Sequence, residues 1–206
     1  MVNYDPKNNG KLVPSYDDLI QKVQALKVLG KVIVFLSGTW DLLHVGHCRY
    51  FRSAVLAAAE ATGRSKQDVI LIVGVDNDKE VKSRKGDFRP IVPEDERSEI
   101  LEYLEDISYV VLKTEKEQSW ALVELIGPDF LILSETTQFI NEEAKEAMLQ
   151  KLKQWAKDVI MLPPQAPTST TGKIRTLITG AFVNARQKFD SFVDEFHSLM
   201  DELGGR

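Results

Sequence analysis

The sequence has one cysteine, three histidines and no long apolar run, and each scarcity narrows what the chain can be. Because Cys48 is the only cysteine, an intrachain disulfide is excluded and the cytoplasm is the expected location. No apolar run approaches the ~18 residues that a membrane-spanning helix needs, and the polar start 1–5 does not resemble a signal peptide. Lys and Arg, at 26, are outnumbered by 31 Asp and Glu, and the net charge of −5 argues against general binding to nucleic acid or to membrane surfaces.

Two phosphate-binding motifs are also missing. A dinucleotide-binding chain would carry G-x-G-x-x-G after its first strand, and this sequence has no such run. The stretch 171–173 resembles the end of a P-loop, but Pro167 stands where that motif requires a glycine, and Ile174 follows the lysine. A tRNA synthetase fragment, with 82–85 as its signature loop, is disfavoured because that loop comes too early and 206 residues leave no room for a tRNA-binding domain.

Apolar strands that alternate with helices predict an α/β fold with a doubly wound parallel sheet. The predicted strands begin at 32 and cover 68–75, 107–112, 129–133 and 159–162. The predicted helices cover 16–29, 42–61, 118–126 and 142–157, with two more beginning at 93 and 171. Residues 81–90 are predicted to form a basic loop after the second strand.

The length of the chain predicts a single domain over 1–206, in which 1–14 form a flexible N-terminal arm. Apolar side chains recur at helical spacing near the end of the chain, at Phe189, Phe192, Val193, Phe196 and Met200. Residues 183–206 are therefore predicted to form an extra amphipathic helix beyond the sheet. Packing onto its own domain and a homodimer contact both fit that apolar face.

The most informative feature is a pair of histidines, His44 and His47, directly after the first strand. Spaced three apart on the first turn of a helix, they would share one face, and Gly46 between them has no side chain. A helix N-terminus attracts anions through its free N–H groups and its dipole. Two imidazole donors at that position predict a site for a strongly negative ligand, most plausibly a polyphosphate.

Two further segments are expected at the same edge of the sheet, because ligands of open parallel sheets bind where strands end. Lys82 lies in the basic segment after the second strand and can supply a point charge. Ser169, Thr170 and Thr171 open the last helix, where hydroxyls and free amides bind phosphate oxygens. Each signal alone has an ordinary explanation as a packed histidine, a solvated lysine or a helix cap. Their occurrence together favours a phosphate site.

These residues resemble the cytidylyltransferase-like nucleotidyltransferases, whose signatures are H-x-G-H after the first strand and a late I-S-S/T-T motif. The resemblance covers roughly Ser15 to Leu177 and is closest to the heptose-phosphate adenylyltransferase branch, with glycerol-3-phosphate cytidylyltransferase also similar. The H-x-G-H motif alone also occurs in class I aminoacyl-tRNA synthetases, so the late hydroxyl motif adds specificity. The matching segments are Gly38–His47, Val75–Asp78, Lys82, Lys85–Pro90, Asp95–Arg97 and Ser169–Thr171.

The resemblance implies transfer of a nucleoside monophosphate from ATP or CTP to a phosphorylated acceptor such as a sugar or polyol phosphate, with release of pyrophosphate. It implies catalytic roles for His44, His47 and Lys82, and Mg²⁺ bound mainly through the phosphates, since no carboxylate cluster would build a metal site alone. The nucleotide-binding residues that it implies are Gly38, Thr39, Asp41, Arg97, Ser169, Thr170 and Thr171. Adenine and cytosine both remain open, as does the identity of the acceptor.

The sequence departs from the family after the fourth strand. The family places a glycine-aspartate segment there, and this chain has Ser134 and Glu135. With Trp40, these two residues are candidates for the acceptor pocket. The departure also leaves a second hypothesis, a nucleotide-binding module or regulator of the same fold that has lost turnover.

Overall fold

The computed structural model describes residues 10–114, 120–137 and 140–204. In this part of the chain, five parallel strands form one sheet in the order β3-β2-β1-β4-β5. The strands are β1 (Val32–Gly38), β2 (Val69–Val75), β3 (Tyr109–Leu112), β4 (Phe130–Ser134) and β5 (Asp158–Leu162). The predicted doubly wound parallel α/β fold is confirmed. The strand order reverses between β1 and β4, so the end of β1 borders the crevice where such sheets bind ligands.

The central strand β1 is apolar along its length because both of its faces are covered. Val34 and Leu36 pack on one face with Phe51 of the following helix. Ile33 and Phe35 point to the opposite face, where they pack with the first helix. The strand therefore lacks the alternation of apolar and polar residues seen in half-exposed strands.

Seven helices lie in the described residues, together with a short 3-10 turn at Lys66–Asp68. They are α1 (Tyr16–Val28), α2 (Val45–Thr62), α3 (Asp78–Lys85), α4 (Glu94–Glu102), α5 (Ala121–Ile126), α6 (Glu142–Leu152) and α7 (Thr170–Gly204). Ser15 caps α1, and Gly63 ends α2 in the left-handed conformation.

Three predicted elements differ from the structure. The basic loop at 81–90 is wrong in its first half, because Asn77 caps a helix there and α3 continues to Lys85. Only Val81 of α3 is buried, so no apolar stripe marks the helix in the sequence. Helix α2 begins at Val45 and not at 42, because Leu42 has a φ of +46°. Helix α6 ends at Leu152, five residues before the predicted 157. Residues 118 and 119 of the predicted fifth helix lie outside the described residues.

The start of the described chain is held against the sheet. Leu12 forms a parallel bridge with Val110 of β3. The Val13 amide donates to the Val110 carbonyl at 2.9 Å, and the Val110 amide donates to the Lys11 carbonyl at 2.8 Å. The predicted flexible arm over 1–14 therefore differs from the structure at its end, because the chain is hydrogen-bonded to β3 from Lys11 onward. Residues 1–9 lie outside the described part.

The chain divides into two compact units, Met1–Pro167 and Thr168–Arg206. The first contains the sheet, and the second consists mainly of the 35-residue helix α7. The predicted C-terminal helix at 183–206 is thus, as far as residue 204, the latter part of a longer helix. The single domain over 1–206 stays a prediction.

Among the described helices, none combines the length and apolarity needed to cross a membrane.

Candidate active site

The turn after β1 has an unusual backbone that places the indole of Trp40 under the start of α2. Trp40 has a φ of +56°, and its side chain is buried, with the indole N–H donating to the Gly74 carbonyl at 2.8 Å. A Cβ on Gly38 would lie 2.9 Å from the indole ring, so glycine is required there for packing. The ring lies edge-on to His47, with centroids 5.5 Å apart. Trp40, predicted for the acceptor pocket, is placed as a support beneath His47.

The two predicted histidines form a reciprocal cap at the start of α2. His44 is the N-cap, and its Nδ1 accepts from the Gly46 amide at 3.1 Å. His47 lies one turn into the helix, and its Nδ1 accepts from the His44 amide at 3.3 Å. The rings are stacked, with centroids 3.9 Å apart and planes inclined by 23°. The predicted shared face is therefore present, although His44 precedes the first turn.

These hydrogen bonds determine the tautomers of the two imidazoles. A ring nitrogen that accepts a hydrogen bond carries no proton, so a neutral imidazole in this arrangement carries its proton on Nε2. Each ring thus accepts a backbone N–H at Nδ1 and presents its own Nε2–H on the other side. The imidazoles thus extend the donors of the helix N-terminus beyond the backbone, where they retain the favourable dipole.

His47 is held neutral. Its pKa is lowered from 6.5 to about 4, mainly by burial and also by the neighbouring His44 and Lys85, while Asp41 opposes the shift. At neutral pH, His47 is consequently a hydrogen-bond donor without a formal charge. It can stabilise charge that grows on a phosphate oxygen without first losing or gaining a proton.

Gly46 makes room for the His44 ring. A Cβ at this position would lie 2.8 Å from Cε1 and 2.9 Å from Nδ1 of His44. These distances are too short for a side chain at residue 46 while His44 keeps this position. The cap itself therefore requires the glycine of the H-x-G-H motif.

The side chain of Asp41, which was predicted to bind the nucleotide, accepts hydrogen bonds from the segment before α4. Its buried carboxylate accepts from Arg89 Nε at 2.8 Å, from the Ile91 amide at 3.1 Å and from the Val92 amide at 3.0 Å. Asp41 therefore anchors the segment that follows α3 to the turn that follows β1. The structure gives it a positioning role in the site.

Arg97, also predicted to contact the nucleotide, is 1% exposed and binds the chain itself. Its Nε donates to the Val92 carbonyl at 2.9 Å, and one terminal nitrogen donates to the carbonyl of Thr39. The other terminal nitrogen donates to Asp78 at 2.6 Å. Three nitrogens of one guanidinium thus join α4, the start of α3 and the turn after β1.

A charged network that the sequence analysis missed lies around the buried residue Thr39. The Thr39 hydroxyl donates to Asp76 at 3.3 Å and accepts from the Lys85 ammonium at 3.0 Å. Asp76 also pairs with Arg84 and, at 3.0 Å, with Lys113. Burial raises the pKa of Asp76, but Lys113 and Arg84 outweigh it and leave that pKa below its ordinary value.

Only Thr39 of this network is named for the site in the sequence analysis, and the position of the other residues at strand ends is the signal that could have found them. Thr39, Asp76 and Lys113 come directly after β1, β2 and β3, which are neighbours in the sheet. Lys85 lies on α3 and appears in the sequence analysis only in the matching segment Lys85–Pro90. Burial lowers the pKa of the Lys85 ammonium, and the neighbouring Arg89 and Arg84 lower it too, while Asp76 and Asp41 oppose the shift.

The predicted catalytic residue Lys82 is exposed on α3, one turn before Lys85. Residues three apart on a helix are neighbours on its surface, so both ammonium groups belong to one side of α3. Within residues 10–114, 120–137 and 140–204, the Lys82 ammonium makes no hydrogen bond or ion pair. The structure brings Lys85, and not Lys82, onto Thr39.

The remaining predicted residues lie at two other places. Ser134 ends β4, and its hydroxyl contacts that of Thr136 at 2.7 Å, while the exposed Glu135 donates its amide to Leu162 at 2.9 Å. In the second unit, Ser169 Oγ accepts from the Gly172 amide at 3.0 Å, which caps α7 where Thr170 and Thr171 begin it. The predicted helix start is confirmed, and phosphate binding by these hydroxyls stays a prediction.

The carboxylates beside the histidines are poor candidates for a resident metal site, because Asp41 and Asp76 are held by the chain's own cations and amides. Across the described residues, no group of three or more His, Cys, Asp or Glu side chains is arranged to hold a metal ion. Mg²⁺ therefore fits this site only as a partner of the ligand's phosphates.

A family model of cytidylyltransferase-like proteins matches residues 35–177, which include the end of β1, the histidine pair and the start of α7. The chain belongs to the cytidylyltransferase-like family. The family predicted from the sequence is confirmed, and its nucleotidyltransferase character with it.

Curated relatives include two bacterial proteins named bifunctional protein HldE. The one from Aliarcobacter butzleri is 33% identical over 168 residues, which cover 82% of this chain and 32% of the relative. The one from Citrifermentans bemidjiense is 36% identical over 131 residues, covering 64% and 25%. The chain thus spans about a third or less of the length of these relatives. Their similarity is consistent with the predicted resemblance to the heptose-phosphate branch.

A solved structure, a lipopolysaccharide core biosynthesis protein from Thermoplasma volcanium, is also similar. It has a TM-score of 0.48 and 21% identity, and the match covers 64% of this chain and 95% of that chain.

Proposed function

We propose that the chain transfers a nucleoside monophosphate from ATP or CTP to a phosphorylated small molecule of the sugar- or polyol-phosphate class, with release of pyrophosphate. An oxygen of the acceptor phosphate attacks the α-phosphorus, and the bond from that phosphorus to the oxygen bridging the β-phosphorus breaks. The observation that supports this proposal best is the stacked pair of His44 and His47 at the end of the central strand.

The reaction needs positioning and charge stabilisation more than proton transfer. A phosphate monoester has a second pKa near ~6 and is already a nucleophile at neutral pH, so no general base is required. The Nε2–H groups of His44 and His47 would donate to oxygens of the α-phosphate and of the bridge to the β-phosphate. Donors fixed in advance by the cap lower the barrier because they need no reorganisation during the step.

Cationic and hydroxyl groups would hold the rest of the triphosphate. Lys85 donates to Thr39 and lowers the pKa of His47, while the exposed Lys82 lies one turn away on α3. Together they would neutralise the triphosphate and the approaching acceptor. The family resemblance further implies that Ser169, Thr170 and Thr171 bind phosphate oxygens through the N-terminus of α7.

Gly38, Thr39, Asp41 and Arg97 would shape the nucleotide pocket by fixing the turn after β1. Mg²⁺ would arrive with the triphosphate and neutralise its charge. Trp40 would support His47, and Ser134 and Glu135 would border the acceptor from the end of β4. The proposal places the protein in the cytoplasm as a homodimer.

The test is pyrophosphate release by the whole chain, with ATP and CTP offered separately, each with Mg²⁺, against sugar, polyol and amino-alcohol phosphates. Release that requires one nucleotide and one acceptor supports the transferase and identifies both substrates. A His44→Asn, His47→Asn double variant is the background control, because asparagine can retain the capping acceptors without the Nε2–H donors.

The second candidate, a nucleotide-binding module without turnover, is favoured by Ser134 and Glu135, which lie in the segment where the family has glycine and aspartate. Tight binding of one triphosphate in a calorimeter, with no pyrophosphate release from any acceptor, would select it over the transferase.

A further inference from the structure

Helix α7 carries an apolar stripe with a stricter period than packing onto a sheet requires. Eight apolar residues follow one another at alternating spacings of four and three, without a break. They are Ile178, Phe182, Ala185, Phe189, Phe192, Phe196, Leu199 and Leu203. We call this set the α7 seam.

The seam has the period of a coiled coil. A helix that packs onto a globular core shows a broad apolar face with a period of ~3.6 residues, whereas a seam of 3.5 over several heptads is typical of pairing with another helix. The large side chains of the seam are exposed, with Phe189 at 65% and Phe192 at 62%. A stripe of this size on a helix of 35 residues is a strong candidate for burial against a partner.

We propose that α7 pairs with α7 of a second copy of this chain as an antiparallel coiled coil. The pairing follows from the seam and does not depend on the proposed catalysis. In the antiparallel register, every seam residue meets another seam residue of the second copy. The pairs are Ile178 with Leu203, Phe182 with Leu199, Ala185 with Phe196, and Phe189 with Phe192.

The sizes of the seam side chains favour this register. Ala185, the one small residue of the seam, lies opposite the large ring of Phe196, so no layer pairs two small residues. A parallel pairing in register would place Ala185 against Ala185 and Phe196 against Phe196. The Ala185–Ala185 layer would leave a gap between the two helices, which is unfavourable.

Charges beside the seam favour the same orientation. In an antiparallel pair, the flanking residue Lys188 lies opposite Glu195 of the second copy, and symmetry repeats this pairing. In a parallel pair, Lys188 would lie beside Val193 and Glu195 beside Met200, so neither charge would meet an opposite one. Only the antiparallel orientation makes the flanking charges complementary.

A membrane surface is the less suitable occupant of the seam. Over its whole length, 170–204, the helix has four basic residues, Lys173, Arg175, Arg186 and Lys188, against five acidic ones, Asp190, Asp194, Glu195, Asp201 and Glu202. Helices that lie in membrane interfaces are typically rich in Lys and Arg on the polar face. Helix α7 lacks the excess of basic residues that would attract anionic lipid headgroups.

Sedimentation equilibrium of the full-length chain tests the proposal. We expect a dimer whose dissociation constant rises about 100-fold or more in Phe189→Glu, because a charge enters the centre of the buried seam. Gln187→Glu adds the same charge on the outer face and is expected to leave the dissociation constant within about twofold. Circular dichroism shows whether each variant remains helical. A wild-type chain that is monomeric at high concentration would overturn the proposal, whether α7 then packs on its own chain or binds lipid vesicles.

Charge exchange tests the orientation without changing the seam. Lys188→Glu alone is expected to weaken the dimer about tenfold, since two attractive pairs become repulsive. The double variant Lys188→Glu, Glu195→Lys restores the pairs in the antiparallel orientation and should recover the wild-type dissociation constant within about threefold. If the single reversal has no effect, the antiparallel register is wrong.

Disulfide crosslinking offers an independent readout of the register. On a Cys48→Ser background, Ile178→Cys and Leu203→Cys chains are mixed and oxidised. The proposal expects crosslinks between the two variants only. Crosslinks between identical variants would show a parallel pair and overturn the proposed orientation.

Discussion

The imidazoles of His44 and His47 are stacked 3.9 Å apart, and each uses Nδ1 to accept a backbone N–H at the start of α2. The same hydrogen bonds that cap the helix thus leave the ring protons on Nε2, directed away from the backbone. Helix capping and the proposed catalysis depend on different nitrogens of one ring. Substitutions that replace one nitrogen at a time can therefore separate stability from turnover.

The first prediction concerns the two nitrogens of His47. His47→Asn retains an acceptor near Nδ1 but no donor at Nε2, so turnover should fall ~10²-fold or more while nucleotide affinity changes only a fewfold. His47→Gln retains a donor near Nε2 and should keep part of the turnover, with a lower Tm because the cap is lost. Pyrophosphate kinetics, calorimetry and thermal unfolding measure the three quantities. Equal losses of affinity and rate in His47→Asn would contradict the assignment.

The second prediction concerns the pH dependence of stability. The pKa of His47 is lowered to about 4 in the folded chain, from 6.5 when it is exposed. Between these values the unfolded state binds more protons, so the free energy of unfolding should fall as pH decreases from 6.5 toward 4 and be independent of this group above 6.5. His47→Asn should show a shallower decrease over the same window. An imidazole NMR signal, assigned with that variant and titrating near 6.5, would refute the low pKa.

The third prediction separates the two lysines of α3. Lys85→Met should weaken binding of a nucleoside triphosphate much more than binding of the nucleoside, because the ammonium near His47 acts on the phosphates. Lys82→Met tests the cation that the family resemblance implies and is expected to lower turnover more than it lowers ground-state affinity. Calorimetry with triphosphate, monophosphate and nucleoside provides the comparison. Matched losses for triphosphate and nucleoside in Lys85→Met would indicate a packing role.

The fourth prediction uses two helical glycines. A methyl group on Gly46 would lie 2.8 Å from the His44 ring, whereas one on Gly180 meets nothing within 4 Å. Gly46→Ala should displace His44, lower the Tm and reduce turnover ~10²-fold or more. Gly180→Ala should leave turnover unchanged and stabilise the chain by roughly 0.5–1 kcal/mol, since alanine is the better helix former. Full activity in Gly46→Ala would show that the observed ring position is not needed.

The fifth prediction concerns the buried guanidinium of Arg97. Removing it leaves the Thr39 carbonyl, the Val92 carbonyl and Asp78 without their donor, so Arg97→Met should cost on the order of 3 kcal/mol of unfolding free energy. Arg97→Lys should not rescue, because one ammonium cannot reach three separate acceptors. The exposed Arg64→Met is the control and should change stability by less than about 0.5 kcal/mol. Urea unfolding of the three variants decides whether Arg97 acts through the fold.

Local sequence patterns were sufficient for most of the first unit. Buried parallel strands are apolar on both faces, so β1 and β2 stand out, and caps such as Ser15 and Gly63 mark helix ends. The H-x-G-H motif locates the histidines because their spacing is local. Helix α3 escaped detection because a helix with one buried residue, Val81, has no apolar period.

Contacts between residues far apart in the chain required the folded structure. The sequence names Asp41 and Arg97 as polar residues near a motif, yet their partners are Arg89, Val92, Thr39 and Asp78. No local period encodes such pairings, because they arise only when parallel strands bring their ends together. The neutral state of His47 has the same origin, since it depends on burial and on the nearby Lys85. Residue types and spacing therefore identify the chemistry available to this chain, while the packing of distant segments assigns each charged group to a ligand or to the scaffold.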